Sequence, residues 1–455
     1  MDTTSSRPGG PIGAGKPPGT RPLLAASLWS EQLGPVTPRL PLHGDTETDV
    51  CVVGAGFTGL WTAYHLLRLR PDCRVCVVER EVAGFGASGR NGGWVSALFP
   101  SAAMATAMRP GLIAAIDDIG AVVAAEGIAC GFDKAGTLRL ATTSAQAQRM
   151  RARGADGWLD GTEAATIVRV PGALGGVFDP ECAVVAPAAL VRGLADAVER
   201  RGGRIVEGTT ALRLEPGRVV TDHGTVRAEA VIRATEAYTA ALPGLRRAVA
   251  PVYSLVIATE PLTAAAWDEI GWSRRVTLGD DRYLIIYAQR TVDGRIVLGG
   301  RGAPYHPGSR VRPSYDTAPA VFAHLEKVLR TLFPATAGAR VTHRWGGPLG
   351  VPRDWTPSVR FDQATGLGSA GGYVGDGVAA SALAGRTLAE LICGLQTPRT
   401  GLRWVGHASP RWEPEPLRWL GINGGRVLAA AADLRENRSG RPSRLGAVVG
   451  RMTGH

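Results

Sequence analysis

The chain has 455 residues, enough for a large core and for two domains. An apolar fraction of 45% and a charged fraction of 20% exclude a disordered or fibrous class, and no apolar run approaches the ~18 residues that span a bilayer. The formal charge of +11 comes from arginines scattered along the chain, lysine being confined to Lys16, Lys134 and Lys327, so no basic block argues for nucleic acid or lipid partners.

Residues 1–22 are rich in Gly, Pro, Ser and Thr, predict a disordered tail and lack a signal peptide's apolar stretch. "TDVCVVGAG" (48–56) then reads as a strand buried on both faces, as in a parallel sheet, and Leu60, Ala63, Tyr64 and Leu67 mark a helix after it. "RVCVVE" (74–79) is the next strand, completing a βαβ unit. Between the strands stands Gly54-x-Gly56-x-x-Gly59: a tight turn, a close backbone approach to a pyrophosphate, and a close helix–strand contact. The helix N-terminus behind it, with Phe57 and Thr58, offers free N–H groups to phosphate. Glu79 ends the second strand, where an acid bonds ribose hydroxyls and repels a 2′-phosphate, which points to FAD or NAD rather than NADP; Arg80 follows it.

"GFGASGRNGGW" (84–94) comes next. Its small residues, among them Ala87, Gly92 and Gly93, let the backbone wrap a long cofactor, and Ser88, Arg90 and Asn91 can bond phosphate or a ring edge beside Trp94. Residues 187–215 read as helix, glycine stop and strand, the strand containing Ala211, which completes this part of the expected cofactor set. From Pro251 to Gly300 the chain turns β-rich, with Asp293-Gly294 as a hairpin turn. Cysteines at 51, 73, 76, 130, 182 and 393 are dispersed, and Cys73-x-x-Cys76 lacks companion ligands, so no metal site is expected and a reducing cytoplasm is.

"GGYVGDGVAASALAGRTLAELICG" (371–394) is a glycine turn opening a helix. With the two earlier motifs it makes the chain, from about Leu28 to Arg418 and including "RWEPEPLRWLG", resemble the D-amino-acid-oxidase-like FAD oxidoreductases, in the γ-glutamylputrescine oxidase-like branch. The resemblance implies noncovalent FAD, with Gly372, Tyr373, Val374, Gly375, Asp376, Gly377 and Val378 at the flavin's pyrimidine edge, where the helix dipole favours negative charge. It also implies an α/β fold: a Rossmann-like FAD domain from 23–105, 181–250 and 341–430, and an inserted antiparallel-sheet substrate domain from 106–180 and 251–340. Residues 431–455 are expected to form a loose tail.

With no second dinucleotide fingerprint, the substrate itself is expected to reduce the flavin. Relatives that oxidise α-amino acids hold the carboxylate with arginines at places that correspond here to Leu349 and Gly375. Neither is a cation, so an amine is expected, oxidised by hydride transfer to an imine that hydrolyses, with O2 or another acceptor taking the electrons. Tyr283, Ile285 and Tyr287 alternate onto one face of a predicted strand, and Tyr283 and Tyr287 are pocket candidates with Arg301, His343 and Leu349; Trp345 is read as a packing residue. Two alternatives stay open: an amino-acid oxidase with a different carboxylate anchor, and a flavin domain acting on a modified tRNA. The oligomeric state is not legible.

Overall fold

The computed structural model describes residues 27–153 and 157–453, so the tail expected at 1–22 lies outside the described residues. The strand Thr46–Val53 runs parallel to Val75–Val78 on one side and to Gly224–Arg233 on the other. Leu367–Gly371 and Arg204–Val206 extend this sheet in parallel at its two sides. Successive side chains of a strand face opposite ways. Val50, Val52, Val75 and Val77 therefore enter the core beneath the helices, while Cys51, Val53, Cys76 and Val78 pack with Val206, Val219 and Val226 on the other face. Both faces are covered, which explains the uninterrupted apolar run.

The helices Phe57–Leu69 and Gly377–Ile392 pack together on one face of this sheet. Their approach depends on Gly385, where a Cβ would stand 2.5 Å from the Trp61 Cβ and 2.7 Å from the Thr62 nitrogen. Both helices start beside the same sheet, so their N-termini open at one edge of it. That edge is the carboxyl end of the parallel strands, where α/β sheets bind ligands.

A second eight-stranded sheet runs in the order Val341–Val351, Ala250–Thr259, Ile296–Gly300, Ile286–Arg290, Thr277–Asp280, Thr137–Ala141, Gly175–Asp179, Trp158–Asp160. It is antiparallel throughout except where Thr277–Asp280 pairs with Thr137–Ala141. Three expectations need correction. Val341–Val351, expected in the FAD domain, pairs along its length with Ala250–Thr259 of the second sheet. The helix Ala102–Ala125, expected mostly in the substrate domain, buries Met108, Leu112, Ile116 and Ile119 in the core of the first sheet. The C-terminal segment is not a loose tail: it continues the helix Leu417–Ser439 and adds a second, Arg444–Thr453. Two of its acids bond the second sheet's surroundings: Asp433 accepts from the Tyr283 and Leu284 N–H groups and the buried Glu436 from Arg149. Among the described residues no helix is long and apolar enough to cross a membrane.

Candidate functional site

The first glycine turn is built by contacts that only hydrogen at Cα permits. Gly54 has φ +107°, and a Cβ there would meet the Ala234 carbonyl oxygen at 2.5 Å; at Gly59 it would meet the Gly54 oxygen at 1.9 Å. At Gly56 it would lie 2.9 Å from Ser88 Oγ, the group that accepts from the Phe57 N–H at 2.9 Å. Ser88 thus stands at the N-terminus of the helix Phe57–Leu69, whose other first-turn N–H groups have no i−4 acceptor. Glu79, one residue past its strand, accepts from the Ala55 and Glu81 N–H groups at 2.8 and 2.9 Å. Desolvation raises its pKa against those bonds. A positive helix end with a carboxylate across the turn suits the pyrophosphate and ribose of a dinucleotide.

The second glycine motif folds back on the same edge. Ala87–Gly89 form a short helical turn, and Asn91 staples it by donating to the Ala87 and Ser88 carbonyls and accepting from the Gly93 N–H. Arg90 is buried, paired with Asp316 at 2.8 Å and bonded to the Gly346 carbonyl, and Trp345 donates to the Arg90 carbonyl. Arg80 stacks over Tyr238. Together Arg80, Arg90, Tyr238 and Asp316 line a cleft of about 670 Å³ alongside the loop. Tyr287 crosses from the second sheet to this loop: a Cβ on Gly92 would reach its ring at 2.3 Å, and so would one on Gly299. Its hydroxyl pairs with Ser254 at 2.9 Å, and Trp94 meets its ring edge-to-face.

The third motif closes the site. Tyr373 pairs with Thr58 at 2.9 Å, tying the two glycine turns together, and Asp376 precedes the helix Gly377–Ile392 without capping it through its side chain. Val378 is buried in that helix's first turn. Val374 has φ +57°, and its carbonyl accepts from Arg301 Nη2 at 3.1 Å. A Cβ on Gly375 would lie 3.7 Å from Leu349 and 3.9 Å from the Arg301 guanidinium, so the two positions without an anchoring cation sit beside the candidate cation.

Two expected site residues lie elsewhere. The strand starts at Ile286, not Tyr283; Tyr283 sits in the preceding turn and bonds Arg149 and Glu436 at the C-terminal helix, because Asp433 captures the backbone there. His343 pairs with Glu31 at 2.8 Å, next to the helix Leu28–Leu33. Ala211 opens a strand of the outer meander and packs against the cluster that holds Val53 and Val78, the residues before Gly54 and Glu79, and two residues before it the Thr209 N–H donates to the Glu79 carbonyl at 2.9 Å. One central residue carries no motif. Glu236, at φ +43°, accepts from the Gly350 N–H at 2.7 Å and from those of Gly372 and Tyr373 at 3.2 and 3.3 Å, joining the second sheet to the third turn. Its only local signal is an acid just after a buried strand.

A family model described as DAO, FAD dependent oxidoreductase, matches residues 49–391. Gamma-glutamylputrescine oxidoreductase of Escherichia coli (strain K12) is 30% identical over 397 residues, covering 81% of this chain and 89% of that protein. A probable oxidoreductase, OrdL, of Rhizobium meliloti (strain 1021) is 28% identical over 83% of this chain and 90% of its own length. The crystal structure of glycine oxidase from Geobacillus kaustophilus superimposes with a TM-score of 0.67 at 22% identity, over 77% of this chain and 96% of that one.

Proposed function

From the premise that the chain belongs to the DAO family of FAD-dependent oxidoreductases and uses FAD, we propose that it oxidises a carbon–nitrogen bond in a small primary or secondary amine. Gly54, Gly56 and Ser88 would hold the pyrophosphate, Glu79 the ribose, and the turns at Gly92–Gly93 and Gly372–Val378 the flavin. When bound, FAD supplies the two-electron acceptor for a hydride lost from the carbon next to nitrogen. The nitrogen lone pair closes an imine, and water converts it to a carbonyl compound plus ammonia or an amine. The electrons then pass to O2, giving H2O2, or to another acceptor.

The observation that carries this reading is the meeting of the two sheets: Tyr287 and Leu349, from the second sheet, lie against Gly92 and Gly375 of the cofactor turns. Their side chains form a wall that orients a small substrate and excludes water, which is most of what hydride loss requires. The names of the relatives, an oxidoreductase of gamma-glutamylputrescine and an oxidase of glycine, support nitrogen chemistry. The test is anaerobic absorbance of the holoprotein with alkylamines and with alcohols of the same carbon skeleton. Amines should bleach the flavin band and alcohols should leave it intact. Bleaching by the alcohols alone, or by neither class, would overturn the reading.

A further inference from the structure

The helix Leu417–Ser439 buries one side in the protein, through Arg418, Asn423, Ala429, Ala432 and Glu436. Its other side carries Leu417, Leu420, Val427 and Leu434, each between 55% and 59% exposed. Of the large apolar side chains exposed among the described residues, five lie on this helix, these four and Trp419. Single exposed apolar residues are ordinary, and a row of them is not. Leu420, Val427 and Leu434 recur at intervals of seven, as do Leu417, Gly424 and Ala431 three residues before them. On an α-helix the two series form one seam, with the alternating three-and-four spacing by which paired helices interlock. Gly424 lies in the middle of the seam, and a Cβ there would meet nothing within 4 Å. Glycine weakens a helix interior, and here no neighbour within the chain requires the room.

We infer that this seam docks a second copy of the chain, the two helices packing antiparallel about a two-fold axis at the level of Ala429. In that arrangement large side chains meet small ones: Val427 faces the partner's Ala431, and Leu434 faces the partner's Gly424. Leu420 lies on the apolar stem of the partner's Arg438. Charge favours this direction. Arg435, Arg438 and Arg441 are exposed at the end of the helix, and Glu413 and Glu415 immediately precede its start. Antiparallel packing brings each basic end to the partner's acidic start, where Glu413 keeps 40% of its side chain exposed. Parallel packing would set the arginines of the two copies side by side. From Leu417 to Arg438 the seam is about 32 Å long, and a helix is about 10 Å wide. That footprint is small for a permanent dimer, so the pair should dissociate on dilution. On its inner side the same helix holds the loop that follows Arg301, Arg426 donating to the Gly302 carbonyl and Asn423 bonding the Tyr305 backbone. The contact between copies therefore braces a wall of the candidate site.

The test is sedimentation velocity of the FAD-loaded full chain from about 1 to about 100 μM, the range in which a small interface dissociates. The sedimentation coefficient should rise from that of a monomer toward that of a dimer. Val427→Glu and Leu434→Glu should each stay monomeric throughout, with flavin content and melting temperature unchanged, because both positions are exposed in the single chain. Gly424→Leu should also stay monomeric while melting no lower, since its side chain has open space in the monomer and collides with the partner's Leu434. Direction is read from disulfide formation. Leu434→Cys mixed with Gly424→Cys should cross-link, and Leu434→Cys alone should not, its two copies standing about 15 Å apart along the axis. A wild type that is monomeric at the highest concentration would overturn the inference, as would a dimer indifferent to all three variants. Cross-linking of Leu434→Cys with itself alone would overturn the antiparallel arrangement. A monomeric wild type that binds phosphatidylglycerol vesicles, with the binding lost in Val427→Glu, would give this face to a membrane and overturn the dimer.

Discussion

Glu236 shows how one side chain can join two halves of a site. Its φ of +43° is one that L side chains rarely adopt, at an expense of about 1–3 kcal/mol, offset here by three backbone N–H bonds. Desolvation pushes its pKa up to about 7, with those N–H groups pulling the other way. The folded protein therefore binds this proton more tightly than the unfolded chain, whose glutamate titrates near ~4.3. Stability from this group is complete below the unfolded value and is lost as pH rises through about 7. Glu236→Gln cannot titrate. The melting temperature of the wild type, measured against the variant, should fall by roughly 2 °C or more between about pH 5.5 and about pH 8. A difference that stays constant over that range would mean the carboxyl does not titrate there.

At the scale of elements, the C-terminal helix Leu417–Ser439 is a structural strap. Arg149 links it to the second sheet, bonding Glu436 at 2.6 Å and Asp281 at 3.0 Å, while Asp433 caps the turn that starts the Ile286–Arg290 strand. Glu436 is 1% exposed. Removing one member of a buried pair leaves the other charge poorly compensated, so Glu436→Ala should lower the unfolding free energy by about 3 kcal/mol in urea titrations. Glu436→Gln, which keeps an oxygen acceptor for Arg149 while Asp281 stays paired with that arginine, should lose less than Glu436→Ala. If the two variants lose equally, the hydrogen bond to Arg149 is not the reason for the loss.

For the whole molecule, the consequence is how FAD is held. Burial raises the thiol pKa of Cys76 and Cys130 to about 11 and of Cys182 to about 12, so these sulfurs remain protonated and unreactive. His65 is buried against Trp61 and Tyr64, and desolvation lowers its pKa to about 3. Retention then depends on the enclosing folds. Acid or heat denaturation should release yellow FAD into the supernatant, and Gly56→Val, whose branched side chain would crowd Ser88, should purify with markedly less FAD per chain. Flavin remaining in the precipitate would contradict noncovalent binding.

The βαβ unit, the glycine turns and the acid after the second strand are readable in order along the chain, because each depends on neighbours within about thirty residues: a positive φ, a buried strand, a helix start. The α/β class and the FAD cofactor followed from them and from the family resemblance. What tertiary structure decided is which distant segments meet. Val341–Val351 joins the second sheet because its partner is Ala250–Thr259, and Tyr283 leaves the site because Asp433, 150 residues later, holds its backbone. Arg301 reaches Gly375 and Val374, and Glu236 bonds residues more than a hundred positions away. Such contacts leave no local pattern, since their stability comes from hydrogen bonds made between distant elements rather than from the spacing of residues within one.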